Sequence, residues 1–501
     1  MPDISKVYLA ADLGASSGRV VAGLFDGSRL ELEDVYRFEN GGMLANDRLY
    51  WDLLAQWSHI QEGLRAAAAS YGDRISSVGV DTWGVDFGLL GRNDELLANP
   101  YHYRDARTTG MMGRAFSMVS REEIFAETGL QFMELNTLYQ MLAMKLENSP
   151  LLDVAERFLM MPDLFHWLLT GEKANEFTNA STTQFYNPLA KGWSIKLFEQ
   201  FGLPTQILGR IVQPGTRLGR VRRAVADSTG LKGVEVVLPG THDTASAVMA
   251  VPASGAPSDR PDWCYISSGT WSLMGMETPS PVVSEPCSRF NFTNEGGVGG
   301  TTRLLKNIAG LWLLQECRRI WALEGREFSW DDMVQRAQAA RPLVSLVDPD
   351  AGAFLAPKEM PQAIRQFCAE TGQATPEAEG AVVRCALESL ALRYRMVLNM
   401  AESLTGSRVE TIHIVGGGTQ NRLLCQMAAD ACNRHVLAGP VEATAIGNVM
   451  MQAVAGGDVA SIAEARKVIR DSFPMHEYDP QNAGPWDEAF ERFEKIVHRQ
   501  S

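Results

Sequence analysis

The chain has 501 residues, 45% of them hydrophobic and 21% charged, and its 60 acidic against 46 basic side chains give a net charge of −14. That length exceeds what one hydrophobic core supports, so two domains are expected, within a composition typical of soluble globular proteins. The acidic balance repels phosphate backbones and excludes nucleic acid as a partner. In chain order, residues 7–13 read as a buried strand, 15–18 as a tight turn, 19–25 as a second strand, and Asp26-Gly27 as a hairpin into a third strand over 29–38. Leu53, Leu54, Trp57, Ile60 and Leu64 recur at helical spacing within 51–70, and a strand follows over 75–81.

A comparable order returns after residue 245: a strand over 264–268, a turn at Gly269-Thr270, a strand over 271–276, and a Gly-rich segment 295–301 leading into 303–305. Helical patterns over 311–323 and 382–404 come next, then a strand over 411–415 that ends in Gly416-Gly417-Gly418. The likeness between the halves is one of element order and not of residues, which suggests a structural duplication. Residues 486–497 form an amphipathic helix in the tail.

No charged region followed by a long apolar core opens the chain, so no signal peptide is expected, and no apolar run reaches the ~20 residues of a membrane span. Cys264, Cys287, Cys317, Cys368, Cys385, Cys425 and Cys432 include no C-x-x-C pair and read as buried reduced thiols, so a cytoplasmic location is expected. Scattered histidines such as His102 and His166 show no metal-ligand spacing.

Four segments carry chemistry. In Pro239-Gly240-Thr241-His242-Asp243-Thr244-Ala245 a carboxylate sits among small residues where a strand-like run turns helical. Asp243 there is either a base that takes a proton from a polyol hydroxyl or the N-cap of the following helix. In Asp12-Leu13-Gly14-Ala15-Ser16-Ser17-Gly18-Arg19, backbone and hydroxyl donors can approach a phosphate, Arg19 adds a cation and Asp12 can anchor the water shell of Mg²⁺. An ordinary Gly-rich hairpin is the alternative, but Ser268-Gly269-Thr270 repeats the chemistry at the matching point of the second half. Gly416-Gly417-Gly418 lets backbone lie flat against a nucleotide, or simply makes a tight strand-to-helix turn. Asp81-Thr82-Trp83-Gly84-Val85-Asp86-Phe87 suits a sugar, with rings against its apolar face and Asp86 among groups for its hydroxyls. Trp83, Phe87, Phe132 and Trp271 are candidate apolar walls or core residues. The letters Asp-Phe-Gly at 86–88 lack the companion motifs of a protein kinase, and no G-x-x-x-x-G-K-[ST] is present.

Along nearly its whole length the chain resembles the FGGY carbohydrate kinases of the actin-like ATPase superfamily, and within them the branch that acts on L-rhamnulose. The resemblance rests on the 12–19, 81–87 and 242–247 segments together with Tyr103-Arg104-Asp105-Ala106-Arg107-Thr108, Asn136-Thr137-Leu138-Tyr139-Gln140, Ser267-Ser268-Gly269-Thr270-Trp271, Thr293-Asn294-Glu295-Gly296-Gly297, 306–315 and Gly439-Pro440-Val441-Glu442-Ala443-Thr444. Ala15, where many members of the superfamily have Thr or Ser, favours that branch. The resemblance implies an α/β fold of two ribonuclease H-like lobes with a ligand cleft between them, over 1–245 and 246–470, with a docking tail over 471–501. It implies that Asp243 accepts the proton, that Gly84, His242, Thr244 and Asn307 touch the sugar, and that Ala15, Ser16, Ser17, Gly18, Arg19, Thr270, Gln315 and Gly417 line the ATP site. ATP and Mg²⁺ are the implied cofactors, Asp12 the residue beside the metal, and L-rhamnulose the partner, phosphorylated at its C1 hydroxyl. A kinase for L-fuculose or xylulose, a non-catalytic ATPase of the same superfamily, and either a monomer or a homodimer stay open. Where related chains carry Cys in the Gly-rich turn and a C-x-x-x-C in the next helix, this chain has Thr419 and then Ala428 before Cys432, so a disulfide proposed there cannot form.

Overall fold

Side chains that alternate between two buried faces organise the first sheet. In strand β1 (Lys6–Leu13) Val7, Leu9, Ala11 and Leu13 join one core cluster, while Tyr8 and Ala10, equally buried, face the other way. Burial on both faces is what a partly parallel sheet needs, because helices cover each side. In this computed structural model, which describes residues 6–255, 257–355 and 357–499, the chain forms two compact units that interleave along the sequence. One comprises Met1–Ser258, Glu277–Leu304 and Ala443–Phe473, and the other Asp259–Met276, Leu305–Glu442 and Pro474–Ser501.

The first unit holds a six-stranded sheet. Its strands are β1, β2 (Ser17–Phe25), β3 (Leu30–Glu39), β4 (Ile75–Thr82), β5 (Arg217–Arg220) and β6 (Glu235–Val237), in the order β5-β6-β4-β1-β2-β3. β1, β2 and β3 run antiparallel, β1, β4 and β6 are parallel, and β5 is antiparallel to β6. Helix α1 (Leu53–Tyr71) starts at Asp52, whose side chain accepts from Ala55 N at 3.1 Å, and it buries Leu53, Ile60, Leu64 and Ala67 in the cluster that holds Val7, Leu9 and Ala11. Two more helices, α2 (Asp243–Met249) and α3 (Ala443–Gly456), pack on each other. Gly79 and Gly23 let α3 approach the sheet, since a Cβ on either lies within 2.8 Å of Asn448 or Val449.

Gly447 marks the closest approach of α2 and α3. A Cβ there falls 1.8 Å from Ser246 O and 2.5 Å from Ser246 C, both backbone atoms of a helix that cannot yield locally. Gly447→Ala is therefore expected to destabilise the first unit by about 1–3 kcal/mol, the usual range for overpacking, and chemical denaturation read by tryptophan fluorescence measures it.

The second unit repeats the topology. Five strands of a seven-stranded sheet, β7 (Trp263–Ser268), β8 (Trp271–Thr278), β9 (Thr411–Val415), β10 (His435–Ala438) and β11 (His476–Tyr478), follow in the order β8-β7-β9-β10-β11. β7 and β8 form an antiparallel hairpin, β7, β9 and β10 are parallel, and β11 closes antiparallel. β7 thus corresponds to β1 and β9 to β4, the duplication expected from element order, and the expected pair of ribonuclease H-like sheets is present. All seven cysteines are buried thiols outside any disulfide. Among the described residues no helix is long and apolar enough to cross a membrane.

Candidate functional site

The sheet of the first unit carries its polar residues at the carboxyl ends of its parallel strands, where open α/β sheets present ligand sites. Asp12 stands near the end of β1, directly opposite Arg19 on β2 and in register with Asp81 on β4. Arg19 donates from Nε (3.0 Å) and Nη2 (2.8 Å) to the same oxygen of Asp12, so the cation expected to meet a phosphate is shared with that carboxylate. Between them Ala15, Ser16 and Ser17 form an exposed turn closed by Gly14 N donating to Ser17 O at 2.9 Å, and Asn40 Nδ2 braces it through Gly14 O at 2.7 Å.

Asp81 is fully buried. Asn448 on α3 donates to its Oδ2, whereas its Oδ1 has no hydrogen-bond partner among the described residues. Burial first, and then the Asp12 charge, push its carboxyl well above the usual range. A buried polar ladder holds Asn448 in turn, because Gln452 donates to Asn448 Oδ1 (2.7 Å) and Leu9 O (2.9 Å) and accepts from Ser77 Oγ (2.6 Å).

The turn that carries Asp243 is tied to the end of β4. Thr82 N donates to Thr241 O at 2.9 Å, and Thr82 and His242 form a parallel bridge. Glu176, fully buried, accepts from Thr241 N (3.0 Å), Thr241 Oγ1 (2.7 Å), Thr178 N (2.9 Å) and Thr178 Oγ1 (2.5 Å), while His242 N donates to Thr178 Oγ1 at 3.2 Å. His242 is the N-cap residue of α2 and Asp243 its first residue, so the cap expected as the alternative role of Asp243 falls one position earlier. Asp243 Oδ1 accepts from Thr244 N at 2.5 Å and Thr244 Oγ1 at 3.1 Å and lies 3.5 Å from His242 Nε2. Its Oδ2 accepts nothing among the described residues, and the side chain is 33% exposed. Burial is the main cause that raises this carboxyl above the ordinary range, with the Asp12 charge adding to it and His242 opposing it.

Gly84 lies two residues beyond β4, where a Cβ would come 3.0 Å from Thr182. Val85 beside it has φ 68°, a left-handed conformation that costs a β-branched residue about 1–3 kcal/mol. Thr182 Oγ1 holds its N–H at 3.0 Å and Thr137 Oγ1 donates to its carbonyl at 2.6 Å. Asp86, read from the sequence as a partner for sugar hydroxyls, is fully buried and already engaged. Its Oδ2 accepts from Trp51 Nε1 (2.6 Å), Trp83 Nε1 (2.9 Å) and Tyr103 N (3.1 Å), and its Oδ1 from Gln140 Nε2 (2.8 Å). It orients two indoles whose centroids are 3.9 Å apart. Burial against those donors leaves its carboxyl pushed up to about 6.

The first unit thus brings together Asp12, the 15–19 turn, Gly84, His242, Asp243 and Thr244. Thr270, Asn307, Gln315 and Gly417 belong to the second. There Gly269 O and Thr270 O accept from Leu311 N (3.0 Å) and Trp312 N (3.1 Å), which docks the β7–β8 turn on the start of the helix Trp312–Leu323 that carries Gln315. Gly416 (φ 87°) and Gly418 press against Ser268, with the Cβ of Gly418 only 1.9 Å from Ser268 Oγ. Gly417 between them faces open space, with nothing within 4 Å of its Cβ. Asn307 is half-buried on the strand Thr302–Ala309.

Glu176, Thr178, Arg303 and Asn448 had no role in the sequence reading, and Glu295 appeared only inside a matching segment. For Arg303 and Asn448 the one signal is a charge or amide in a run of otherwise apolar or small residues, Thr-Arg-Leu-Leu and Ile-Gly-Asn-Val-Met, whereas Glu176 and Thr178, in Asn-Glu-Phe-Thr-Asn, carry none. Among the described residues no group of three or more His, Cys, Asp or Glu side chains could hold a metal ion alone.

Comparison with known proteins matches residues 7–250 to the N-terminal domain, and residues 264–456 to the C-terminal domain, of the FGGY family of carbohydrate kinases. A rhamnulokinase of Bacteroides thetaiotaomicron is 44% identical over 490 residues, covering 98% of this chain and 99% of that one. One from Bacillus subtilis is 35% identical over 476 residues, covering 95% and 96%. Among solved structures, a ligand-bound xylulose kinase from Lactobacillus acidophilus superposes with a TM-score of 0.81 at 16% identity over 99% of this chain and 98% of its own. Plasmodium falciparum glycerol kinase with ADP gives 0.78 at 14% identity over 99% and 98%. At such identities these two structures speak to the fold alone.

Proposed function

This chain belongs to the FGGY family of carbohydrate kinases, and from that premise we propose that it transfers the γ-phosphoryl group of ATP to the C1 hydroxyl of L-rhamnulose, giving ADP and L-rhamnulose 1-phosphate. The choice of sugar is supported by the relatives named rhamnulokinase, which match almost end to end. The observation that carries the chemistry is the Asp243 carboxylate, one oxygen tied to Thr244 and the other open. In this reading Oδ2 accepts the C1 proton as the hydroxyl oxygen attacks the γ-phosphorus in line.

Gly84, His242 and Thr244, and Asn307 of the second unit, are assigned to the sugar. The 15–19 turn, and Thr270, Gln315 and Gly417 of the second unit, are assigned to ATP. The residues beside Asp12 fit Mg²⁺: Asp12 and the orphaned Oδ1 of Asp81 would offer it carboxylate oxygens, and this ion is commonly held by one or two carboxylates while it keeps several waters. When bound it neutralises charge on the transferring group.

ADP release measured across L-rhamnulose, L-fuculose, xylulose and glycerol tests the reading. Turnover with L-rhamnulose is expected to exceed each of the others by about tenfold or more, the discrimination that a few hydroxyl and methyl contacts supply. A faster rate on another ketose reassigns the substrate, and ATP hydrolysis that no sugar accelerates overturns the kinase reading. The nucleotide role of the Gly-rich turn is tested separately by Gly417→Val. Because its Cβ meets no protein atom, folding is expected to be unchanged, and the KM for ATP is expected to rise much more than that for the ketose. Equal rises argue against the assignment.

A further inference from the structure

Arg303 is fully buried, on a strand whose other residues are mostly apolar. Its Nε donates to Gly296 O at 2.7 Å, and its Nη2 lies 3.1 Å from Glu295 Oε2 and 3.1 Å from His242 Nδ1. A guanidinium stays protonated and has no acceptor atom, so in any hydrogen bond with a ring nitrogen it is the donor. His242 Nδ1 then accepts, and a neutral imidazole carries its hydrogen on Nε2. That nitrogen lies 3.5 Å from Asp243 Oδ1.

We propose that Arg303, neutralised by Glu295, fixes the tautomer of His242 so that its Nε2–H faces Asp243 and whatever oxygen is bound beside it. Arg303 and Glu295 are thereby positioning residues for the transfer step. The competing tautomer has Nδ1–H donating to Glu295 Oε2, 3.3 Å away, but that hydrogen would then oppose the guanidinium N–H that approaches the same nitrogen more closely. Glu295 is also already engaged by the guanidinium. With Oε2 at 3.1 Å from the guanidinium, the Glu295 carboxylate is the counter-charge that lets Arg303 be buried. The ring has little freedom to turn, because the side chain is 9% exposed and the backbone that carries it is held, Thr241 N by Glu176 and His242 N by Thr178. An N–H fixed in this place offers a donor to a hydroxyl oxygen or to Asp243 without reorganisation at the moment of reaction.

The proposal rests on Asp243 as proton acceptor only for its catalytic meaning, and the tautomer can be read without substrate. In protein labelled with ¹⁵N-histidine, two-bond ¹H–¹⁵N correlation of the imidazoles, with the His242 signals assigned by their loss in His242→Gln, is expected to show the hydrogen on Nε2 at neutral pH. A hydrogen on Nδ1 in the wild-type protein overturns the proposal, and no variant of Arg303 need fold for that result. Arg303→Met removes the donor while keeping an unbranched side chain, and it is expected to shift the His242 pattern toward the Nδ1–H form. The same variant is expected to raise the KM for L-rhamnulose and lower kcat by about tenfold each, with the KM for ATP within about twofold of wild type. An unchanged His242 pattern in folded Arg303→Met, or equal rises in both KM values, sinks the idea. Failure of the ketose panel with the expected tautomer present would strike the substrate assignment alone.

Discussion

Asp243→Asn is expected to lower turnover of the ketose by about 10²-fold or more while leaving the fold and the KM for ATP near wild type, which a coupled ADP assay and thermal unfolding together measure. The structure gives a reason to expect this separation. The substituted side chain keeps an oxygen for Thr244 N, and its new amide occupies the Oδ2 position, where no protein donor stands to be opposed. Only basicity is removed. The pH dependence follows from the same surroundings. Burial and the Asp12 charge raise the Asp243 carboxyl above its ordinary value near ~4, and the ionised form is the active one. The acid limb of kcat/KM in the wild-type protein is therefore expected above that value, with activity lost as pH falls through it.

Stability runs with the opposite sign. A carboxyl whose folded pKa is raised contributes stability that is fully present below its unfolded pKa and is lost as pH rises through the folded one. At neutral pH ionised Asp243 is thus a cost to folding, and Asp243→Asn is expected to unfold at the same temperature or a higher one. A marked loss of stability in that variant, or near-normal kcat, makes Asp243 a structural residue.

The legible part of this protein was the part written locally. Short apolar runs bounded by turn residues announced β1 and β2, a further strand after the helix announced β4, helical spacing announced α1, and the likeness of element order announced the second sheet, with β1, β2, β4, β7, β8 and β9 within a residue or two of where they lie. Asp243 was conspicuous because small residues surround a charge where packing has no use for one. The residues that hold it were not conspicuous, because their partners are remote: Glu176 meets Thr241 across 65 positions, Arg303 meets His242 across 61, and Asn448 meets Asp81 across 367. Asp86 shows the converse. Its company of indoles looked like a sugar platform, and only the geometry reveals that the indole N–H groups themselves use the carboxylate. Sequence gives a side chain's chemistry, but which buried donors claim it is decided by tertiary contact.

Glu176→Ala is expected to lose stability and turnover together. The carboxylate accepts four hydrogen bonds, two from backbone N–H groups and two from threonine hydroxyls, in a place without solvent. Removing it strands all four donors, each costing about 1–3 kcal/mol where no replacement is found, and hydroxyl rotation relieves at most the two threonines. A loss of about 3 kcal/mol or more in urea unfolding follows for the first unit. Because Thr241 precedes His242 and Asp243 directly, the same change frees the turn that sets the base, and a misplacement near 1 Å is enough to cost about 10²-fold in rate. Glu176→Gln separates the two effects. With its amide oxygen in the Oε2 place it keeps Thr178 Oγ1, Thr241 N and Thr241 Oγ1 and leaves only Thr178 N opposed by the NH₂ group, so it is expected to fall between wild type and Glu176→Ala on both scales. If Glu176→Ala were as stable as wild type yet as slow as Asp243→Asn, the carboxylate would be acting on the chemistry itself and not on the turn.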